Sequence, residues 1–198
     1  MSELKSGLPI ILFKTSSDFA EWLSRQGPNA KGAWLRFAKQ GSGLVTLTKS
    51  EAINAALCHG WIDGQLDKYD KQSWLIRFTP RKPRSNWSQV NRARAIELIA
   101  EARMTSRGIE EVELAKADGR WDAAYAPASK AEVPPDLQEA LDANAKAAVF
   151  FATLGGANRY AILYRIGVVK LPQTRKRKIA EFIAMLERGE TIHGKALK

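Results

Sequence analysis

The chain has 198 residues, 45% of them hydrophobic, which fits one or two folded domains and excludes wholesale disorder. Its formal net charge is +10, and its single cysteine, Cys58, excludes an intrachain disulfide. A chain of this length buries about 70% of its unfolded surface, so it needs no metal or disulfide staple.

The longest apolar runs, such as "PIILF" at Pro9–Phe13, are far below the roughly 18 residues of a membrane span. The opening "MSELKSGLPIILFK" has too short an apolar core for a secretory signal and no small-residue cleavage site. A cytoplasmic location without a membrane span is therefore expected.

"PIILFK" reads as a short buried strand. A helix follows over "TSSDFAEWLSRQ", with Thr15 and Asp18 spaced as a capping box and Gly27–Pro28 as its stop. "GAWLRFAK" alternates Ala33, Leu35 and Phe37 against Trp34, Arg36 and Ala38, the period of a strand. "QGSG" is a turn, and "LVTL" at residues 44–47 is expected to be a second short strand. Thr48 and Glu51 form a second capping box, opening a helix that Gly60 closes.

"WIDGQLDKY" and "SWLIRFT" read as two strands joined by a tight turn at Asp70, Lys71 and Gln72. Pro80 and Pro83 end the second, because proline cannot donate to a central ladder. "PRKPRS" then reads as a stiff, extended basic loop. Asn86 is the expected cap of the next helix, in which Val90, Ala93, Ile96 and Ala100 recur at helical spacing. "SRGIEEVELAKADG" is another helix, with Glu110 and Glu111 placed in its first turn. "RWDAAYAPASKAEVP" reads as a linker.

From there the chain is all helix. "PPDLQEALDANAKAAVFFATLGG" starts with prolines and ends with glycines, with a break at Asn144. "NRYAILYRIGVVK" and "PQTRKRKIAEFIAMLERG" complete the set, and the tail to Lys198 is expected to be loose. The expected fold is α+β. Residues 1–125 form an α+β domain with mixed strands, helices, the Trp61–Trp87 hairpin and the basic loop. Residues 126–198 form a helical region.

Charge is unevenly placed. Residues 77–107 and 159–188 each carry eight Lys/Arg and two acids, while residues 108–158 carry nine acids and four bases. Basic blocks favour anionic partners, nucleic acid included; otherwise they are solvated surface.

The candidate ligand-binding residues follow from the hairpin and its loop. On a regular strand Trp61, Asp63 and Gln65 share one face, presenting an indole, a carboxylate and an amide. Arg77, Arg81, Lys82 and Arg84 supply cations that clamp phosphate or carboxylate. Ser85 and Asn86 stand at a helix start, where unpaired N–H groups attract anions, and Trp87 offers a stacking ring. The competing reading pairs those arginines with Asp63, Asp67 or Asp70 across the hairpin. "TRKRK" puts Arg175, Lys176, Arg177 and Lys178 at the start of the last helix, where four cations oppose its dipole.

Catalytic templates are missing. His59 and His193 are far apart in sequence, and there is no phosphate-binding glycine loop, no dinucleotide fingerprint and no nucleophile elbow. No metal and no cofactor are expected. Cys58 and His59 are helix neighbours pointing about 100° apart, so Cys58 reads as a core residue.

Several stretches resemble the bacterial YdeI/OmpD-associated family: "ALCHGWIDGQLDKYD", "RFTPRKPRSNWSQVNRARAIELIAEARMT", "GIEEVELAKADGRWDAAY", "PPDLQEALDANAKAAVFFATL" and "TRKRKIAEFIAMLERGE". The resemblance runs from about residue 10 to residue 190. It implies a link to bacteriocin protection and to resistance against cationic antimicrobial peptides, with no reaction or cofactor attached. A periplasmic place is described for some members, whereas this chain shows no export signal. A strongly basic protein also repels cationic peptides. The expected function is thus a non-enzymatic stress or resistance protein that binds an anionic ligand or partner. Two alternatives stand beside it: a nucleic-acid binder using both basic blocks, and an enzyme of unknown reaction with Asp63 as general base. Its oligomeric state is not legible in the sequence.

Overall fold

The structure, a computed structural model, describes residues 3–27 and 29–194. Pro28 and the tail beyond Gly194 therefore lie outside the described residues. The chain divides into two compact units, Met1–Ala124 and Tyr125–Lys198. The first combines a five-stranded sheet with helices and the second is helical, so the fold is α+β.

The first unit holds β1 (Leu4–Lys5), β2 (Leu8–Ile11), α1 (Ser16–Ser24), β3 (Ala33–Ala38), α2 (Lys49–Cys58), β4 (Trp61–Lys68), β5 (Ser73–Pro80), α3 (Gln89–Ala100) and α4 (Ser106–Ala117). The sheet order is β1-β2-β3-β5-β4. β2 and β3 are parallel, with α1 in the connection between them, and the remaining pairs are antiparallel. Both capping boxes form: Thr15 with Asp18 and Thr48 with Glu51. α1 ends at Arg25, ahead of Gly27.

Four local readings change. Strand β1 is an addition, closed onto β2 by Ser6 and Gly7, both at positive φ (50° and 74°) as a tight hairpin turn requires. "LVTL" is irregular rather than a strand, because the Thr46 side chain, not its backbone, takes the Ala38 N–H, and Val45 faces solvent. The basic loop is folded rather than extended: Ser85 N–H donates to the Lys82 carbonyl at 2.8 Å, closing a turn around Pro83. Ser88, not Asn86, caps α3, its hydroxyl accepting from Asn91 N–H at 3.0 Å. The chain stays extended to Ser88 because Trp87 must first enter the core.

Glu110 and Glu111 lie past the first turn of α4, whose cap is Thr105. In α3 the helical stripe of the sequence is not the buried face. Val90 and Ile96 are exposed, whereas Ala95 and Leu98 are fully buried. The half-buried Arg92 and Arg94 explain this orientation: they donate to the Trp121 carbonyl and to Asn54 Oδ1.

Two cores share α2. Ala33, Leu35, Phe37, Ile76, Phe78 and Trp61 on one sheet face pack with Phe19 and Leu23 of α1 and Ala52, Ala55 and Ala56 of α2. Leu57 and Cys58 join Trp87, Ala95, Leu98, Val112, Ala115 and Trp121 in the second core. A helix buried on two sides needs small residues, which α2 supplies. The opposite sheet face is closed by side chains that link the edge strands. Lys5 Nζ lies 2.7 Å from Asp67, and the Tyr69 hydroxyl bonds to Glu3.

The second unit opens with a single helical turn at Ala128–Lys130. α5 (Pro135–Asp142), α6 (Ala145–Thr153), α7 (Gly156–Gly167) and α8 (Pro172–Glu187) follow. Asn144 caps α6 and so divides what reads as one apolar run. Leu137, Leu141, Phe151, Ile162, Ile166, Ile179, Phe182 and Leu186 form its core. Arg175 grips both carboxylate oxygens of Asp136 and donates to the Ile166 carbonyl, tying α5, α7 and α8 together. Among the described residues no helix is long and apolar enough to cross a membrane.

Candidate functional site

Sheet topology places the site. β2 and β3 start at the same end of the sheet, and β5, antiparallel to β3, finishes there. Ala33 pairs with Phe78, so continuing the register by two residues brings Lys31 beside Pro80. Gly32 makes this approach possible. Its φ is +112°, and a Cβ there would stand 2.4 Å from the Phe78 carbonyl oxygen.

A hollow of about 540 Å³ opens at this sheet end. Its polar lining is Lys31, Arg77, Thr79, Arg81 and Lys82, and its apolar walls are Leu8, Ala30, Pro80 and Pro83. Arg77 and Thr79 project from one face of β5, while Phe78 between them enters the core. Among the described residues no carboxylate lines the hollow. Among the described residues, the ion pairs of this unit involve none of Lys31, Arg77 and Lys82.

Arg81 is the buried cation of the set, only 6% exposed. Its guanidinium carbon sits 3.6 Å from the Trp87 ring centroid, and Nη1 donates to the Asn86 carbonyl at 3.3 Å. Arg120, equally buried, donates to the neighbouring Ser85 carbonyl at 3.0 Å and pairs with Asp118. Two arginines thus pin consecutive carbonyls of the basic loop, which fixes its shape without consuming Lys82 or Arg84.

The other candidate residues lie elsewhere. Trp61 is fully buried in the sheet core, edge-on to Trp22, and Trp87 is buried in the second core against Trp121. Both indole N–H groups are buried without an acceptor among the described residues, so neither ring offers a polar edge to a ligand. Asp63 is half-buried opposite Phe78. A bulge between Asp63 and Leu66 breaks the alternation, leaving Gly64 and Gln65 exposed. Arg84 is exposed in the turn, and Ser85 and Asn86 serve through their carbonyls. Of the ten residues read from the sequence, Arg77, Arg81 and Lys82 meet in the hollow. Lys31 and Thr79 join them, and only the β3–β5 register could have announced Lys31.

Asp67 and Asp70 of the hairpin are engaged away from this hollow. The Lys5 ammonium beside Asp67 holds that carboxyl below its usual range, and the Ser73 hydroxyl does the same for Asp70, which also meets Arg36 at 2.7 Å. A smaller hollow of about 220 Å³ shares Pro80 and Arg81 and is otherwise lined by His59, Gly60, Arg107, Glu110, Glu111 and Leu114. Burial pushes the Glu111 carboxyl up, against the opposing pull of Arg81, Arg120 and Arg107. Burial also pushes the Cys58 thiol up, which suits a core residue rather than a nucleophile. Among the described residues no cluster of His, Cys, Asp or Glu could hold a metal ion.

Residues 11–111, about half of the chain, match a family described as a domain of unknown function (DUF8412). Residues 130–189 match the bacteriocin-protection, YdeI or OmpD-associated family. The chain belongs to the DUF8412 family, and its C-terminal unit is similar to the YdeI/OmpD-associated family. The "GWIDGQ" and "RFTPRKPRSNWS" blocks, with the lining of the hollow except Leu8, fall in the DUF8412 part, and "TRKRKIAEFIAMLERG" falls in the YdeI/OmpD-associated part. Neither description names a reaction. No curated protein and no solved structure matches the chain.

Proposed function

We propose that the first unit binds a small anionic ligand in the hollow at the sheet end. On this reading the protein is a cytoplasmic, non-catalytic binding protein serving stress or antimicrobial resistance. One observation carries the binding role: among the described residues, Lys31, Arg77, Arg81 and Lys82 line one cavity and no carboxylate does. Gathering Lys31, Arg77 and Lys82 at one hollow costs folding free energy, and an anionic ligand offsets that cost. The volume falls within the range of small-molecule sites.

The second basic block supports this reading over an extended nucleic-acid surface. Arg175 is taken up by Asp136, and Arg177 and Lys178 both face Glu181. The aromatic rings expected to stack on bases, Trp61 and Trp87, are buried.

Calorimetric titration with inorganic phosphate tests the proposal. The parent chain and a Lys176→Gln control are expected to bind equally, and Arg77→Gln to lose at least tenfold in affinity. Equal binding by parent and Arg77→Gln would place the anion elsewhere.

A further inference from the structure

Resting on that proposed anion site, we infer that its ligand is a diphosphate rather than a single phosphate or carboxylate. The charge balance comes first. Among the described residues Lys31, Arg77 and Lys82 line the hollow with no carboxylate beside them, and three cations match an anion carrying about three negative charges, whereas one phosphate brings at most about two near neutral pH.

The placement of the cations agrees. Arg77 and Thr79 stand on the strand and form the floor, beside Arg81, which is held by Trp87 and the Asn86 carbonyl. Lys31 and Lys82 are exposed and come from two different segments, the entry to β3 and the loop after β5. A single phosphate on the floor is satisfied by an arginine fork and a hydroxyl. The two lysines, flexible point charges on long stems, then serve a second anionic group linked to the first. A cavity of about 540 Å³ has room for both groups. Its walls are the aliphatic Leu8, Ala30, Pro80 and Pro83, with no aromatic ring among them, so a nucleobase has nothing to stack on.

The test compares phosphate, inorganic pyrophosphate, a nucleoside diphosphate, an alkyl diphosphate and oligothymidylate on the full chain at fixed ionic strength. Pyrophosphate is expected to bind at least tenfold more tightly than phosphate. Lys31→Gln and Lys82→Gln, both surface changes that leave the core intact, are each expected to cut pyrophosphate affinity three- to tenfold while shifting phosphate affinity less than twofold. The two organic diphosphates separate a site for the bare diphosphate from one that also holds an attached body. Phosphate and pyrophosphate binding equally, or the lysine variants weakening both alike, overturns the diphosphate assignment while leaving the anion site standing. Absence of binding by either anion overturns both. Oligothymidylate binding more tightly than pyrophosphate overturns the assignment in favour of a nucleic-acid ligand.

Discussion

Arg81 lies over the Trp87 ring, with 3.6 Å between its guanidinium carbon and the indole centroid. One contact joins the second core to the hollow, because Trp87 belongs to the former and Arg81 lines the latter. A buried guanidinium over an indole is worth about 2 kcal/mol or more. Lysine cannot reproduce its planar stacking or its fork of donors. Arg81→Lys is therefore expected to lower the stability of the first unit by about 1–3 kcal/mol in urea unfolding followed by tryptophan fluorescence. Phosphate affinity should fall in the same variant. An unchanged unfolding midpoint would show that the stack carries no weight.

Gly108 sits inside α4 where that helix crosses the end of α2. A Cβ there would stand 2.3 Å from the Cys58 carbonyl oxygen, which also accepts from the Thr105 hydroxyl at 2.6 Å. Gly108→Ala, which would favour an isolated helix, is expected here to destabilise the first unit by about 1–3 kcal/mol through overpacking. A gain in stability would mean that the two helices are not packed this closely.

Local chemistry made much of this fold legible. The capping boxes at Thr15 and Thr48 and the hairpin turn near Asp70 are each set by residues a few positions apart. What the sequence hides is set at long range. Gln65 reads as sharing a face with Trp61 and Asp63 until the bulge is seen, and Ser88 displaces Asn86 as a cap because Trp87 is drawn into a core built from α2 and α4. Val90 and Ile96 have the spacing of a buried face, yet Arg92 and Arg94 find partners on Trp121 and Asn54 that turn the helix the other way. Trp61 alternates with Ile62 as in any amphipathic strand, and nothing nearby reveals that α1 and α2 cover it. Lys31 reaches the hollow only through the pairing of β3 with β5.

Glu111 gives a pH-dependent prediction. Burial raises its folded pKa above the unfolded value, so its contribution is complete below the unfolded pKa of about 4.3 and is lost as pH rises through the folded pKa. Glu111→Gln is expected to be more stable than the parent at pH 7 and no different at pH 4, read as urea midpoints. A variant less stable than the parent at pH 7 would mean that Arg81, Arg107 and Arg120 outweigh the burial.

Asp136 gives the opposite sign in the second unit. The Arg175 side chain holds its carboxyl below the usual range, so the stabilisation is present above the unfolded pKa of about 3.9 and is lost as pH falls through the folded value. Asp136→Asn is expected to unfold at lower urea than the parent at pH 7, with the gap closing as both are taken below about pH 4. A gap that stays constant across that range would assign the loss to packing instead of charge.

The anion hollow is tested most directly by amide chemical-shift mapping of the full chain during a pyrophosphate titration. Shifts concentrated at Ala30–Gly32 and Arg77–Lys82, saturating with a single dissociation constant, are the expected result. Shifts centred on Arg175–Lys178, or spread without saturation over surface lysines and arginines, would contradict it.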